Sequence, residues 1–186
     1  MPVYVYDPPE RFVAGTVGQP GERTFFLQAR ATGRLTSVVC EKFQVNLLAE
    51  RIGDLLDEVA RRTDGKAPGL DSPEPASADD APLDLPLTED FRVGAIALAW
   101  DGESERVVIE AQEETETPAP PLADDVPEPG HGVLRVHITA GQARAFSRRA
   151  LQLVTAGRPP CALCGLPLDP EGHVCPRQNG HRASDG

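Results

Sequence analysis

Aromatic side chains are scarce in this 186-residue chain: six Phe, two Tyr and one Trp, 5% of the whole. Hydrophobic residues reach 40%, yet Pro and Gly together number 36. That balance limits the chain to a modest core broken by unstructured connections. Its length suits one domain, or one domain with a small appendage. Long apolar runs are also missing. No stretch of about 18 apolar residues exists, so no helix spans a membrane. Met1 to Gly18 has no extended apolar region of signal-peptide type, and the expected location is the cytoplasm. Catalytic patterns are absent too. There is no Ser/His/Asp ordering and no metal-type carboxylate cluster. Gly15-Thr16-Val17-Gly18 lacks the glycine spacing and the lysine of a phosphate loop. The expectation leans away from an enzyme.

Charge is present in excess but unevenly. The net charge is −11. Between Asp64 and Asp90 eight acids face Lys66 alone, and between Glu110 and Pro129 there are seven acids and no base. These two stretches carry −14, which leaves the rest at +3. From His131 onward seven arginines stand against Asp169, Glu171 and Asp185. The acidity belongs to connections, and the carboxyl-terminal part is mildly basic.

Pattern along the chain predicts an α+β protein of antiparallel strands in two β-β-β-α units. Phe12–Val17, Thr24–Ala29 and Leu35–Cys40 read as strands, with Gly18-Gln19-Pro20-Gly21 and Thr32-Gly33 as the turns between them. Phe43, Leu47, Leu48, Ile52, Leu55, Leu56 and Val59 then recur at helical spacing, and the helix stops near Thr63 before Asp64-Gly65. The second round has strands at Phe91–Trp100, Arg106–Ala111 and Val133–Ile138, with a hairpin signal at Asp101-Gly102. Thr139 and Gln142 have capping-box spacing ahead of a stripe of Ala143, Phe146, Ala150, Leu153 and Val154. The expected organisation is a first lobe over 1–63, a disordered acidic linker over 64–88, and a second lobe over 89–112 and 130–157 interrupted by an acidic loop, 113–129. A zinc knuckle over 158–182 and a tail over 183–186 complete it. Both acidic stretches are expected to be disordered, because Pro- and Asp-rich sequence buries too little apolar surface to offset its ordering entropy. Two separate three-stranded sheets with a cleft between them, or one larger sheet, remain equal alternatives.

Near the end, Cys161-Ala162-Leu163-Cys164-Gly165 is followed eight residues later by His173-Val174-Cys175. Two cysteines separated by two residues on a turn aim both sulfurs at one ion, and Gly165 permits the left-handed backbone such a turn needs. Pro167 and Asp169-Pro170-Glu171-Gly172 shape the return. Cys161, Cys164, His173 and Cys175 form a donor set without carboxylate. That favours Zn²⁺ in a closed tetrahedral site whose role is folding. His181 is an alternative fourth donor, and a redox CxxC pair or a disulfide are the competing readings. Cys40, within Ser37-Val38-Val39-Cys40, reads as a buried inert thiol.

Three segments carry a resemblance: Asp7-Pro8-Pro9-Glu10-Arg11-Phe12-Val13-Ala14-Gly15-Thr16-Val17-Gly18, then Arg23-Thr24-Phe25-Phe26-Leu27-Gln28-Ala29-Arg30, then Gly172-His173-Val174-Cys175-Pro176-Arg177-Gln178-Asn179-Gly180. They resemble an actinobacterial family of uncharacterised proteins with a C-terminal zinc knuckle. The resemblance covers nearly the whole chain outside the two acidic stretches. It implies no enzymatic activity. Because the family takes in the ParA-interacting protein ParJ, it implies a protein partner, a ParA-type ATPase.

Three functions compete. The first is a regulatory or adaptor protein, with acidic tethers as solvated spacers and a rigid metal-bound tail. The second is a nucleic-acid-binding module using Arg144, Arg148, Arg149, Arg158, Arg177 and Arg182, against which stand the small basic excess and the few aromatics. The third is an enzyme with Arg23, Glu41, Lys42 and His137 gathered in a cleft between the lobes. Each of those four also has a plain role, as a helix-start charge or a strand residue.

Overall fold

The turn residues dictate how the first strands pair. The computed structural model describes residues 3–65, 69–75, 78–116, 122, 131–156, 161, 163, 164 and 175. The first half holds β1 (Val3–Tyr6), β2 (Arg11–Val17), β3 (Thr24–Ala31), β4 (Arg34–Cys40) and α1 (Lys42–Arg62). The second holds β5 (Phe91–Asp101), β6 (Arg106–Glu113), β7 (Val133–Ile138) and α2 (Ala140–Thr155). Thr32 and Gly33 both take positive φ, 49° and 73°, the two-residue turn that suits the twist of a hairpin, and β3 and β4 pair across it from Ala31–Arg34 to Phe25–Cys40. The hairpin expected at Asp101-Gly102 forms, closed by a four-residue loop. Asp101 pairs with Arg106, and the Asp101 carboxylate accepts from the backbone of Glu103 and Ser104.

The described strands form one sheet in the order β1-β7-β6-β5-β4-β3-β2. Each half is an antiparallel meander, as expected, but the halves join through a parallel seam where Val38 meets Phe91 and Val39 meets Arg92. Asp90 pins that seam: its carboxylate accepts from Ser37 N at 2.8 Å, its N–H donates to Ser37 O at 2.9 Å, and Tyr4 Oη donates to it at 2.9 Å. The β1 strand falls in a stretch the sequence reading left unassigned. It adds to the far edge, parallel to β7. Tyr6 then shares a 2.7 Å hydrogen bond with Thr36 on β4, so the sheet curls until its β1 edge meets the middle of the first half.

Both helices lie on the inner face. α1 buries Val45, Leu48, Ala49, Ile52, Leu56 and Val59, each large side chain contributing roughly 1.5–3 kcal/mol. Phe43 and Leu47, expected in that stripe, are instead 66% and 46% exposed. The buried line is rotated toward Val45 and Ala49, which lie against the core beside Leu48 and Ile52. At the start of α2 the predicted capping box is present: Gln142 N donates to Thr139 Oγ1 at 3.2 Å, and Thr139 N to Gln142 Oε1 at 2.9 Å. Phe146 of α2 stacks on Phe12 of β2 with ring centroids 4.7 Å apart. No helix among the described residues is long and apolar enough to cross a membrane.

The first acidic stretch departs from its expected disorder. Its described residues form no helix or strand, but they are held at successive points, from α2 round the β2 edge to the outer face. Leu70 is buried. Gly141 N donates to Ser72 Oγ at 2.7 Å, and a Cβ on Gly141 would fall 2.0 Å from the Pro73 carbonyl oxygen. Leu83 sits against Gly15, whose missing Cβ would lie 2.5 Å from Leu83 Cδ2. Asp84 is gripped at its backbone by Gln28, with N–H donating to Oε1 at 2.7 Å and C=O accepting from Nε2 at 3.1 Å. The segment is a strap. Side chains of the sheet and of α2 supply the binding energy that its own composition cannot. Within the second acidic stretch the structure describes only 113–116 and Leu122, and the expectation for its remainder lies outside the described residues.

Candidate metal centre

Cys161, Cys164 and Cys175 come together although ten residues separate the second from the third. Their sulfur atoms all lie within 4.8 Å of one another. Sγ of Cys161 and Sγ of Cys175 are 3.9 Å apart, and these side chains are nearly buried, at 9% and 3% exposure. A disulfide would require about 2.05 Å. A tetrahedral ion with metal–sulfur bonds of about 2.3 Å sets its sulfurs roughly 3.8 Å apart, close to what is seen. Leu163 N–H points at Cys161 Sγ at 3.4 Å. Three soft donors so spaced can hold a metal ion. His173 and His181, the expected and alternative fourth donors, lie outside the described residues, as do Arg158, Arg177 and Arg182. Cys40 takes no part. Burial, with help from the Glu41 charge, pushes its thiol up to about 12, which makes it the inert side chain expected.

The residues nominated for an enzyme only partly converge. Arg23, Glu41 and Lys42 line one open cavity of about 670 Å³, with Arg92 and the end of α2 on its rim. His137 is not there; it pairs with Val108 on the outer face of β7. Within that cavity Arg23 donates to the Ala156 carbonyl at 2.7 Å, and Arg92 pairs with Glu41 at 3.3 Å. Both interactions have structural roles.

The basic face of α2 is already engaged. Arg144 donates to the carbonyls of Leu70 and Ser72, Arg148 pairs with Glu74, and Arg149 pairs with Asp79. Every one of these partners belongs to the strap. Of the three helix arginines offered as phosphate contacts, Arg148 and Arg149 therefore face the chain's own acids and Arg144 its backbone carbonyls. Most elaborate is the clamp on Asp79. Arg11 grips its carboxylate with Nε at 2.6 Å and Nη2 at 2.9 Å, and Arg149 Nη1 approaches it at 3.3 Å. Both guanidiniums also donate to the Ala81 carbonyl, at 3.0 and 2.8 Å. Hydrogen bonding from Arg11 holds the Asp79 carboxyl below the usual aspartate range. Arg11 is raised by the same bond, whereas burial pulls Arg149 down. Sequence reasoning missed this clamp. The signal within reach was the match between a run of acids and a helix bearing three arginines, but nothing local paired them.

No curated protein and no solved structure matches the chain, so the comparison that informs it is with sequence families. One family matches from the second residue of β1 through the third cysteine of the thiol cluster, taking in the sheet, both helices, the strap and the metal-type site as a unit. With residues 4–175 matched, the chain belongs to the family described as protein of unknown function (DUF3090).

Proposed function

We propose that this chain is a non-enzymatic regulatory or adaptor protein whose C-terminal segment folds around a structural zinc ion. Cys161, Cys164 and Cys175 hold the ion, with His173 as fourth donor and His181 as the alternative. The convergence of the three sulfurs within 4.8 Å, with the Cys161–Cys175 pair at 3.9 Å, supports the reading. Zinc is preferred because the donors are thiolates and imidazole with no carboxylate, and a four-donor site leaves no place for a reactive water. The ion then braces a surface. Support for a protein partner comes from α1, where Phe43 and Leu47 stand exposed one turn apart. The family resemblance nominates a ParA-type ATPase as that partner.

Purified protein is expected to contain about one equivalent of zinc by elemental analysis, as one closed site requires. Cys161→Ser with Cys164→Ser should abolish it while the far-ultraviolet signature of the sheet survives. Folded wild-type protein without metal would end the zinc reading. In pull-downs with a ParA-type ATPase, Phe43→Ser with Leu47→Ser should weaken capture, and no complex at micromolar concentration would end the partner assignment.

A further inference from the structure

We propose that Arg11, Arg149 and Gln28 form a receptor for an extended acidic peptide, and that residues 79–84 of the chain occupy it in cis. The site shares no residue with the thiol cluster. It deepens the adaptor reading by giving the chemistry of a partner, and it rests on that reading only in this respect.

With the strap seated, the receptor side chains are largely buried, and two of them are also held by contacts outside it. Side chains of Arg11 and Arg149 are only 10% and 13% exposed, and Gln28 is 1% exposed. Arg149 is aimed by its Nε donating to the Ala14 carbonyl at 2.8 Å, and Gln28 by donating to Ser37 Oγ at 2.9 Å. Such anchoring lowers the ordering cost of binding. The occupant is held as a foreign peptide would be. Among the described residues, no backbone-to-backbone hydrogen bond ties positions 73–88 to a strand. Side chains read its carbonyls at Asp79, Ala81 and Asp84 and its carboxylates at Asp79 and Asp84. Its charged groups sit at the rim, with Asp79 39% and Asp84 27% exposed, so solvent and salt can compete for them. Nor does the strap fill its groove. A cavity of about 440 Å³ remains between it, Phe12 and the α2 side chains Gln142, Phe146 and Arg149. Charge selects the ligand: the guanidiniums of Arg11 and Arg149, joined at Asp84 by that of Arg30, favour paired carboxylates, and Leu83 against Gly15 adds an apolar anchor beside Asp84.

A tethered occupant has an effective concentration of about millimolar, so the intact chain should resist a free competitor. The test is fluorescence anisotropy with a labelled peptide of the sequence of residues 78–86, added to full-length protein at low salt. Asp79→Asn with Asp84→Asn in the chain should loosen the strap and tighten peptide binding by about tenfold or more over wild type. Binding should weaken as salt rises, and adding Arg149→Gln should remove it. A folded double variant that binds no better than wild type would overturn the proposal, as would equal binding of a peptide with asparagine at every aspartate. If the double variant does not fold, Leu83→Ala loosens the strap while keeping every carboxylate, and failure of that variant to bind is equally decisive. Zinc content is measured on the same samples, so loss of peptide binding with metal retained leaves the zinc reading intact.

Discussion

Gln28 on β3 and Glu110 on β6 hold corresponding places in the two halves of the molecule. Each is a buried polar side chain on the outer face of a central strand, and each receives the backbone of an acidic segment. Gln28 takes both backbone groups of Asp84, while Glu110 accepts from Leu122 N at 3.1 Å. The difference lies in charge. A neutral amide can satisfy a donor and an acceptor at once, so Gln28 needs only Ser37 and the strap. A fully buried carboxylate cannot stand alone, and Glu110 is 0% exposed, paired with Arg135 at 2.5 Å and bonded by Gln112 at 2.8 Å. One position solves the problem of a buried polar sheet face with an amide, the other with an ion pair. The ion pair is the less forgiving solution.

The largest effect should come from breaking it. Glu110→Ala removes the carboxylate from a buried ion pair, and is expected to cost about 3–5 kcal/mol in urea unfolding. Gln28→Ala removes an uncharged partner and is expected to cost about 1–3 kcal/mol. Equal costs for the two would erase the distinction drawn between the halves. Next comes Gly141→Ala, where the first half's strap rests on the second half's helix. Alanine normally stabilises a helix interior by about 1 kcal/mol over glycine. Here its Cβ would meet the Pro73 carbonyl, so a net loss of about 1–3 kcal/mol and faster proteolysis of the strap are expected. A more stable variant would show that the strap does not dock there.

The smallest effect concerns acid. Asp79 is held below its ordinary pKa, so its contribution is complete above the unfolded value of about 3.9 and is lost as pH falls through the lowered folded value. With the side chain more than a third exposed, solvent screening keeps that contribution below about 1 kcal/mol. Limited pepsin digestion should therefore cut the strap increasingly as pH drops below about 4, and Asp79→Asn should flatten that dependence. Unchanged cutting of the wild type across this range would remove the Arg11–Asp79 pair as a stabilising contact.

Most local structure was legible in sequence. Six strands, two helices and a capping box follow from alternation, from 3.6-residue spacing and from Gly, Asp and Thr at the turns. The short strand Val3–Tyr6 escaped because four residues beside two prolines give too little pattern, and its partner β7 lies some 130 positions away. The exposure of Phe43 and Leu47 escaped for a related reason: periodicity shows that a stripe exists, while the neighbouring elements decide its centre. The strap was misread because its composition describes an isolated segment, and Arg11 stands 68 residues from the Asp79 it grips.

By itself the sequence determined which stretches are strand, helix or turn, and placed a set of thiols at metal-binding spacing, since each depends on residues within a few positions of one another. Tertiary structure alone decided that the halves share one sheet through a parallel seam, that the arginines of α2 face the chain's own acidic strap, and that an acidic stretch becomes that strap. Those outcomes depend on charges and hydrogen-bonding groups far apart along the chain, which find each other only once the sheet has brought them within reach.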